Sequence, residues 1–208
     1  MEIQFYGANC VAITYKGVRF VTDDNLAELG SKSILKEGDV ALYSSRQTTR
    51  PKGIRLDFDG PGEYEVSNIS VVGVPTRSHM DEAGGLSNTM YKIIGSDISV
   101  LIAGHPHPDS IEADLEDIGI VDVLVIPVGG SGYTLDPLGA AKVIREIEPK
   151  LVIPTHYSLP GITYPVPQTD LESAIKDLGM EPKERTTKLK LKSSDLTEGT
   201  HLVVLEKS

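Results

Sequence analysis

The stretch from Val121 to Val128 is apolar at every position but Asp122. A run of that kind reads as a strand covered on both faces, because a half-solvated strand alternates polar with apolar residues. The residues downstream of it narrow the fold further. Asp136-Pro137 supplies a helix N-cap and a first-turn proline. Leu138, Ala141, Ile144 and Ile147 then recur at helical spacing, and Leu151–Ile153 is a second apolar strand. Strand, helix, strand in that order implies two parallel strands joined by a right-handed crossover.

The rest of the chain can be read around this unit. Asp109–Ile118 places Ile111, Leu115 and Ile118 on one helical face, and Gly119 stops it. Thr169-Asp170-Leu171-Glu172 reads as a capping box that opens a helix with Leu171, Ala174, Ile175 and Leu178 inward. The first hundred residues hold strand-like runs instead: Met1–Phe5, Val11–Tyr15, Val18–Val21, Val40–Tyr43, Ile69–Val74, Thr89–Ile94 and Ile98–Ile102. Lys16-Gly17 marks a hairpin between the second and third of these. Thr187–Leu191 and Leu202–Leu205 complete the set. Strands first, then helices mixed with strands, describe a layered α/β domain. With no linker or repeat in sight, one domain over residues 1–208 is expected.

Composition removes several classes of function. Cys10 is the single cysteine, so neither an intramolecular disulfide framework nor a cysteine-cluster zinc site can form. A net charge of −10 argues against sequence-independent nucleic-acid binding, which needs Lys and Arg for the phosphates. Met1–Phe5 carries Glu2 and lacks a basic n-region, and no apolar run reaches the ~20 residues of a membrane helix. A cytoplasmic chain without membrane or nucleic-acid partners is expected.

Chemistry is most visible in the histidines. His79, His105, His107 and His156 fall in loops directly after predicted strands, where layered α/β domains build their sites. His105 and His107 each precede a proline, which favours extended backbone and puts both rings on one side. Three converging imidazoles can hold a zinc and leave its fourth position to water. Taken singly, a His beside Pro in a surface loop is commonly just solvated. His201 precedes the last strand and reads as structural.

Ser44–Arg55 carries Arg46, Arg50, Lys52 and Arg55 with no acid between Val40 and Leu56. It reads either as an anion clamp built on Arg46 and Arg50 or, preferably, as a solvated basic loop facing the acidic remainder. Gly129-Gly130-Ser131-Gly132 lacks the spacing of a phosphate loop and reads as a tight turn. Cys10 reads as packed, and Asp23-Asp24 as acids capping a turn in preference to catalytic carboxylates at a strand end.

Five segments together resemble the metallo-β-lactamase superfamily, in its compact branch of metal-dependent hydrolases: Gly7-Ala8-Asn9-Cys10, Gly60-Pro61-Gly62-Glu63-Tyr64-Glu65-Val66, Gly73-Val74-Pro75-Thr76, Val121–Val128 with Gly129-Gly130, and Ile153-Pro154-Thr155-His156-Tyr157. The resemblance implies an αββα four-layer sandwich with a metal site along one edge of the two sheets. It also exposes a departure. Where the family carries His-x-His-x-Asp-His, this chain has Ser45, Gln47, Thr49 and Arg50. Arg50 would place a permanent cation where the family holds metal ions. The family's later ligand positions fall on His79, His105 and His156, so four of seven ligand positions are substituted.

Two readings arise from the resemblance. In the favoured one the fold persists, the dinuclear hydrolase chemistry is gone and no cofactor is held. The protein then binds a small molecule or acts as a scaffold, with an anion pocket at Arg46 and Arg50 compatible. In the other, His79, His105 and His156, with His107 in reserve, hold a single zinc and the chain remains a hydrolase. Members of this branch self-associate, so a homo-oligomer stays open.

Overall fold

The computed structural model describes residues 1–47 and 52–208. Two sheets face each other. The first has six strands in the order β13-β1-β2-β3-β4-β5, formed by β1 (Glu2–Gly7), β2 (Cys10–Tyr15), β3 (Val18–Thr22), β4 (Val40–Leu42), β5 (Leu56–Phe58) and β13 (Leu189–Lys190). The second has eight, in the order β12-β14-β11-β10-β9-β8-β7-β6. Its members are β6 (Gly62–Val66), β7 (Ile69–Thr76), β8 (Asn88–Ile94), β9 (Ser99–Ile102), β10 (Val123–Pro127), β11 (Leu151–Thr155), β12 (Pro182–Thr186) and β14 (His201–Leu205).

The expected hairpin is present, with Tyr15 paired to Val18 and both Lys16 (φ 47°) and Gly17 (φ 80°) left-handed, the two positive φ angles of a type I′ turn. The expected parallel unit is also present. Val123 pairs with Leu151 and Pro127 with Thr155, all in parallel register, and β9 adds a third parallel strand on the other side of β10. Every residue of β10 and β11 is buried, as strands with both faces covered must be.

Three helices, α1 (Ile111–Ile118), α2 (Pro137–Ile147) and α3 (Leu171–Leu178), connect strands of the eight-stranded sheet. The crossovers from β9 to β10, β10 to β11 and β11 to β12 all run in one direction across that sheet. Right-handed crossovers in one direction put their helices on one face, and α1 packs on α2 and α2 on α3. The outer face of the six-stranded sheet is closed differently. Ala8, Cys10, Ala12 and Val21 pack under Leu26, Leu29 and Ile162, so irregular segments supply the fourth layer that helices supply on the other side.

Local expectations need two corrections. The buried face of α2 is Pro137, Ala140, Val143, Ile144 and Ile147, while Leu138 is 69% exposed. The stripe is rotated because the first turn brings Pro137, not Leu138, onto the sheet. For α3 the N-cap is Asp170, whose carboxylate accepts from Ser173 N, and not Thr169. Between the sheets, Ile3, Phe5, Val11, Ile13 and Phe20 meet Val71, Ile93, Val100 and Val125 in one apolar cluster. Each such side chain stabilises the fold by about 1.5–3 kcal/mol relative to exposure. Among the described residues no helix is long and apolar enough to cross a membrane.

Candidate functional site

The carboxyl ends of β3, β4, β9 and β11 and the β1–β2 turn converge on one cavity of about 160 Å³, lined among others by Asn9, Asp23, Ser44, His105, Tyr133 and His156. Carboxyl ends of parallel strands are where α/β sheets open a crevice.

His105 lies just beyond β9, with its backbone N–H donating to Asn88 Oδ1 at 2.8 Å. Gly104 before it has φ +68°, and a Cβ there would meet Asn88 Oδ1 and Ser44 Cβ at 2.4 Å, so only glycine lets the two sheets close at this point. The His105 ring is positioned by Asn9. The Asn9 amide nitrogen donates to Gly104 O at 3.2 Å, while its carbonyl oxygen accepts from Thr155 Oγ1 at 2.9 Å. That pairing orients the amide, and the same nitrogen lies 3.1 Å from His105 Nε2. His105 Nε2 therefore accepts, which assigns the ring proton to Nδ1. Nδ1 is buried and has no hydrogen-bond partner. Burial, then His156 and His79, push the His105 pKa down to about 3, so the ring is neutral.

His156 follows β11 and is 3% exposed. Its φ of 54° is left-handed, a region that His enters more readily than most residues. There His156 N donates to Ala8 O at 2.8 Å, from one sheet to the other. Gln168 fixes the ring. Its Nε2 donates to Val166 O and Pro167 O, which leaves Oε1 to accept from His156 Nδ1 at 3.1 Å. The lone pair of His156 is therefore on Nε2, which makes no hydrogen bond. Gly129 makes room for this arrangement, since a Cβ there would lie 2.0 Å from Gln168 Oε1. Burial lowers the His156 pKa despite the Gln168 bond. The two rings meet edge to face at 4.9 Å.

On the opposite wall, Asp23 ends β3. Its Oδ1 accepts from Ser44 N at 2.7 Å, and its Oδ2 is buried without a partner. Burial raises its pKa to about 6, against the hydrogen bonding from Ser44. Asp24 alone performs the turn-capping expected of both acids, accepting from Ser33 Oγ, Ile34 N and Leu35 N.

The predicted site residues separate. His105 and His156 share the cavity. His79 instead stacks on His107 at 5.9 Å, joined to the His105 segment by its backbone N–H on His105 O. Among the described residues no three His, Cys, Asp or Glu side chains are placed to hold a metal ion. Ser45 and Gln47 line the cavity, and the Gln47 amide folds back onto Ser45 O at 3.0 Å. Arg46 is exposed and is not among the lining residues; Thr49 and Arg50 lie outside the described residues. Cys10 is fully buried, as expected, and burial raises its thiol pKa well above the usual range. The cavity rim includes Ser78, Met80 and Ser87. These belong to a loop stitched by Asp81, whose carboxylate accepts from Ser78 N, Ser87 N and Ser87 Oγ while Arg77 donates to its carbonyl. Asn9, Asn88 and Gln168 are not legible as site residues in the sequence, because Asn9 reaches its partners across the fold and the other two meet their histidines only once irregular loops have closed.

Comparison with known proteins places this geometry. The profile of the Beta-lactamase superfamily domain matches residues 2–156. A UPF0173 metal-dependent hydrolase from Thermofilum pendens is 28% identical over 196 residues, covering 88% of this chain and 80% of that one. A UPF0173 metal-dependent hydrolase from Pyrococcus horikoshii is 27% identical over 136 residues, 64% of this chain; the match spans 59% of that relative's length. A crystal structure from Thermotoga maritima, assigned as a Zn-dependent hydrolase of the metallo-β-lactamase superfamily, superposes with a TM-score of 0.77 at 25% identity, covering 99% of this chain and 98% of that one. A metallo hydrolase from Ignicoccus hospitalis, 15% identical with a TM-score of 0.66, shares the fold.

Proposed function

We infer the function from one premise: the chain belongs to the β-lactamase domain superfamily, and within it keeps the cleft as a small-molecule binding site without the two-metal hydrolytic centre. The observation that carries this reading is the donor chemistry of the loop after β4. A pair of hydrolytic metal ions needs carboxylates or imidazoles from several directions to fix both ions and activate a water. Ser45 and Gln47 offer a hydroxyl and an amide, neither of them an imidazole or a carboxylate. Thr49 and Arg50 add neither an imidazole nor a carboxylate. Neither His105 nitrogen is open to the cleft, since Nε2 is paired with the Asn9 amide and Nδ1 is fully buried. His156 Nε2 is the one imidazole lone pair left open there. This donor set does not fit the pair of ions. The single-zinc alternative draws less support, because it needs the His79 ring, which packs on His107.

Metal analysis of protein purified without a polyhistidine tag tests the reading. The expected content is far below one ion per chain, with added Zn²⁺ leaving the thermal midpoint unmoved, since an ion that bound the folded state would raise it. Two tightly held ions per chain, lost in His156→Ala, overturn it.

A further inference from the structure

We propose that a groove at the opposite end of the six-stranded sheet from the cleft binds a di- or triphosphate group, held by Lys16, Lys190 and Lys192. The site is separate from the cleft and does not depend on the metal-free reading above.

The groove has a volume of about 390 Å³ and lies where β1 begins and β2 ends, with Lys16, Lys190 and Lys192 all in its lining. Each lysine comes from a different segment, and each segment has an ordered backbone. Lys16 sits in the β2–β3 turn, and Lys190 pairs with Glu2 across β13 and β1. Lys192 precedes the 3₁₀ turn Ser193–Asp195, and its N–H donates to Asp195 Oδ2 at 2.8 Å. Lys16 is the least expected of the three. Its φ of 47° is left-handed, a region that Gly, Asn and Asp enter readily and lysine does not. A strained turn position is thus given to an ammonium, whose Nζ lies 5.3 Å from the centroid of the Tyr15 ring. That ring is anchored in turn, with the Tyr15 hydroxyl accepting from Ser96 N at 2.9 Å.

Charge sets these lysines further apart. The chain has 30 acidic residues against 20 basic ones, so carboxylates are in surplus. Lys142, Lys150, Arg185 and Lys188 each have a carboxylate partner. Among the described residues Lys16, Lys190 and Lys192 have none. The two acids in the lining are already engaged, Glu2 with Lys188 and Asp195 with the Lys192 backbone. Lysines on an edge strand discourage pairing with other chains, which accounts for Lys190. It gives no reason for a lysine in the β2–β3 turn that lines the same groove. Unpartnered like charges around a groove concentrate a positive potential there, which draws an anion. An ammonium is a compact point charge with three donors, suited to phosphate oxygens. Three of them exceed the needs of one phosphate and match two or three in a row, with the Thr14 hydroxyl as a further donor. The volume falls within the roughly 300–1,000 Å³ of ligand pockets.

The test is isothermal titration calorimetry of the full-length untagged protein at low salt, with inorganic phosphate, pyrophosphate, tripolyphosphate, ATP and citrate as separate probes. Tripolyphosphate and ATP should bind more tightly than inorganic phosphate, and added salt should weaken both. Backbone ¹H–¹⁵N shifts should cluster at Lys16, Lys190 and Lys192 when either is added. Lys16→Gln, Lys190→Gln and Lys192→Gln should each lower the affinity by up to about fivefold, the reach of an exposed ion pair, and the triple variant by on the order of a hundredfold. Lys32→Gln, at an exposed lysine outside the groove, should leave it unchanged. Equal affinities for tripolyphosphate and ATP assign recognition to the phosphates alone, and tighter ATP adds the nucleoside; both uphold the site. Citrate binding as tightly as tripolyphosphate overturns the phosphate class. Absence of binding, or binding that survives the triple variant, overturns the site. Should the triple variant fail to fold, the backbone shifts of the unmutated chain decide the matter alone.

Discussion

The two ends of the parallel strands treat their buried polar groups in opposite ways. At the amino ends, Asp122 precedes β10 and is saturated: Oδ2 accepts from Ser99 N at 2.9 Å and from Ser99 Oγ at 3.1 Å, and Oδ1 from Lys150 Nζ at 2.8 Å. Burial pushes its pKa up, but these bonds and the Lys150 charge more than offset that and hold it below the usual carboxylate range. At the carboxyl ends, Asp23 keeps one bond and one orphan oxygen, and its pKa moves the other way. One end is built for stability. The other, in the facing sheet, is left incomplete, which is how a binding end differs from a structural end in the same fold.

Glycine substitution gives the largest expected contrast. Gly104→Ala, at the cleft end, adds a Cβ 2.4 Å from Asn88 Oδ1 and Ser44 Cβ at a φ of +68°. It should cost about 3–5 kcal/mol in urea unfolding and close the cavity. Gly17→Ala, at the far end of the β2–β3 hairpin, meets nothing within 4 Å and should cost only the ~1 kcal/mol of a strained φ. Equal losses would mean that the cleft end is not the tighter one.

Charge removal reverses the sign between the ends. Asp23→Asn keeps an acceptor for Ser44 N and removes a buried charge. A shift from 3.8 to about 6 corresponds to on the order of 3 kcal/mol that ionisation costs the native state. The folded protein binds the extra proton between those pH values, so native stability falls as pH rises through that window and stays lower above it. The variant's gain in unfolding free energy should therefore be near zero at about pH 4 and full above about pH 6–7. Asp122→Ala should instead lose about 2 kcal/mol, since it strands Ser99 N. Stabilisation at both positions, or loss at both, would erase the distinction.

His105 supplies a third comparison, along the pH axis. Its pKa is depressed to about 3, so the unfolded chain takes up its proton first, and stability falls as pH drops from about 6.5 towards 3. His105→Asn should flatten that limb of the pH–stability curve. The smallest effect belongs to Gln168→Leu, about 1 kcal/mol. Its clearer signature is a His156 ring no longer confined to the Nδ1–H tautomer.

Local pattern governs the parts of the fold that are legible without the structure. The β2–β3 hairpin and the β10–α2–β11 unit are among them, because turn residues and unbroken apolar runs leave few alternatives. Strands β5, β6 and β12 are not. Gly62–Val66 alternates Glu with half-buried residues, and Pro182–Thr186 exposes Lys183, Glu184 and Arg185, as sheet edges must to discourage pairing with other chains. The rotated face of α2 escapes a hydrophobic pattern because Leu138 is apolar yet faces solvent. Within the site, His105 and His156 stand out because each follows a strand. Their companions do not, because Asn9 lies 96 residues from His105 and 146 from Thr155, and no local pattern encodes a contact made only when two sheets close.

The loop pinned by Asp81 sets the tempo of the cleft. Because the ends of that loop are tied to one carboxylate, this side of the entrance should behave as a fixed rim and not as a hinged gate. Guests should then come and go in a single kinetic step. Arrival is limited by diffusion and fit, and residence time is set by the grip of the interior alone.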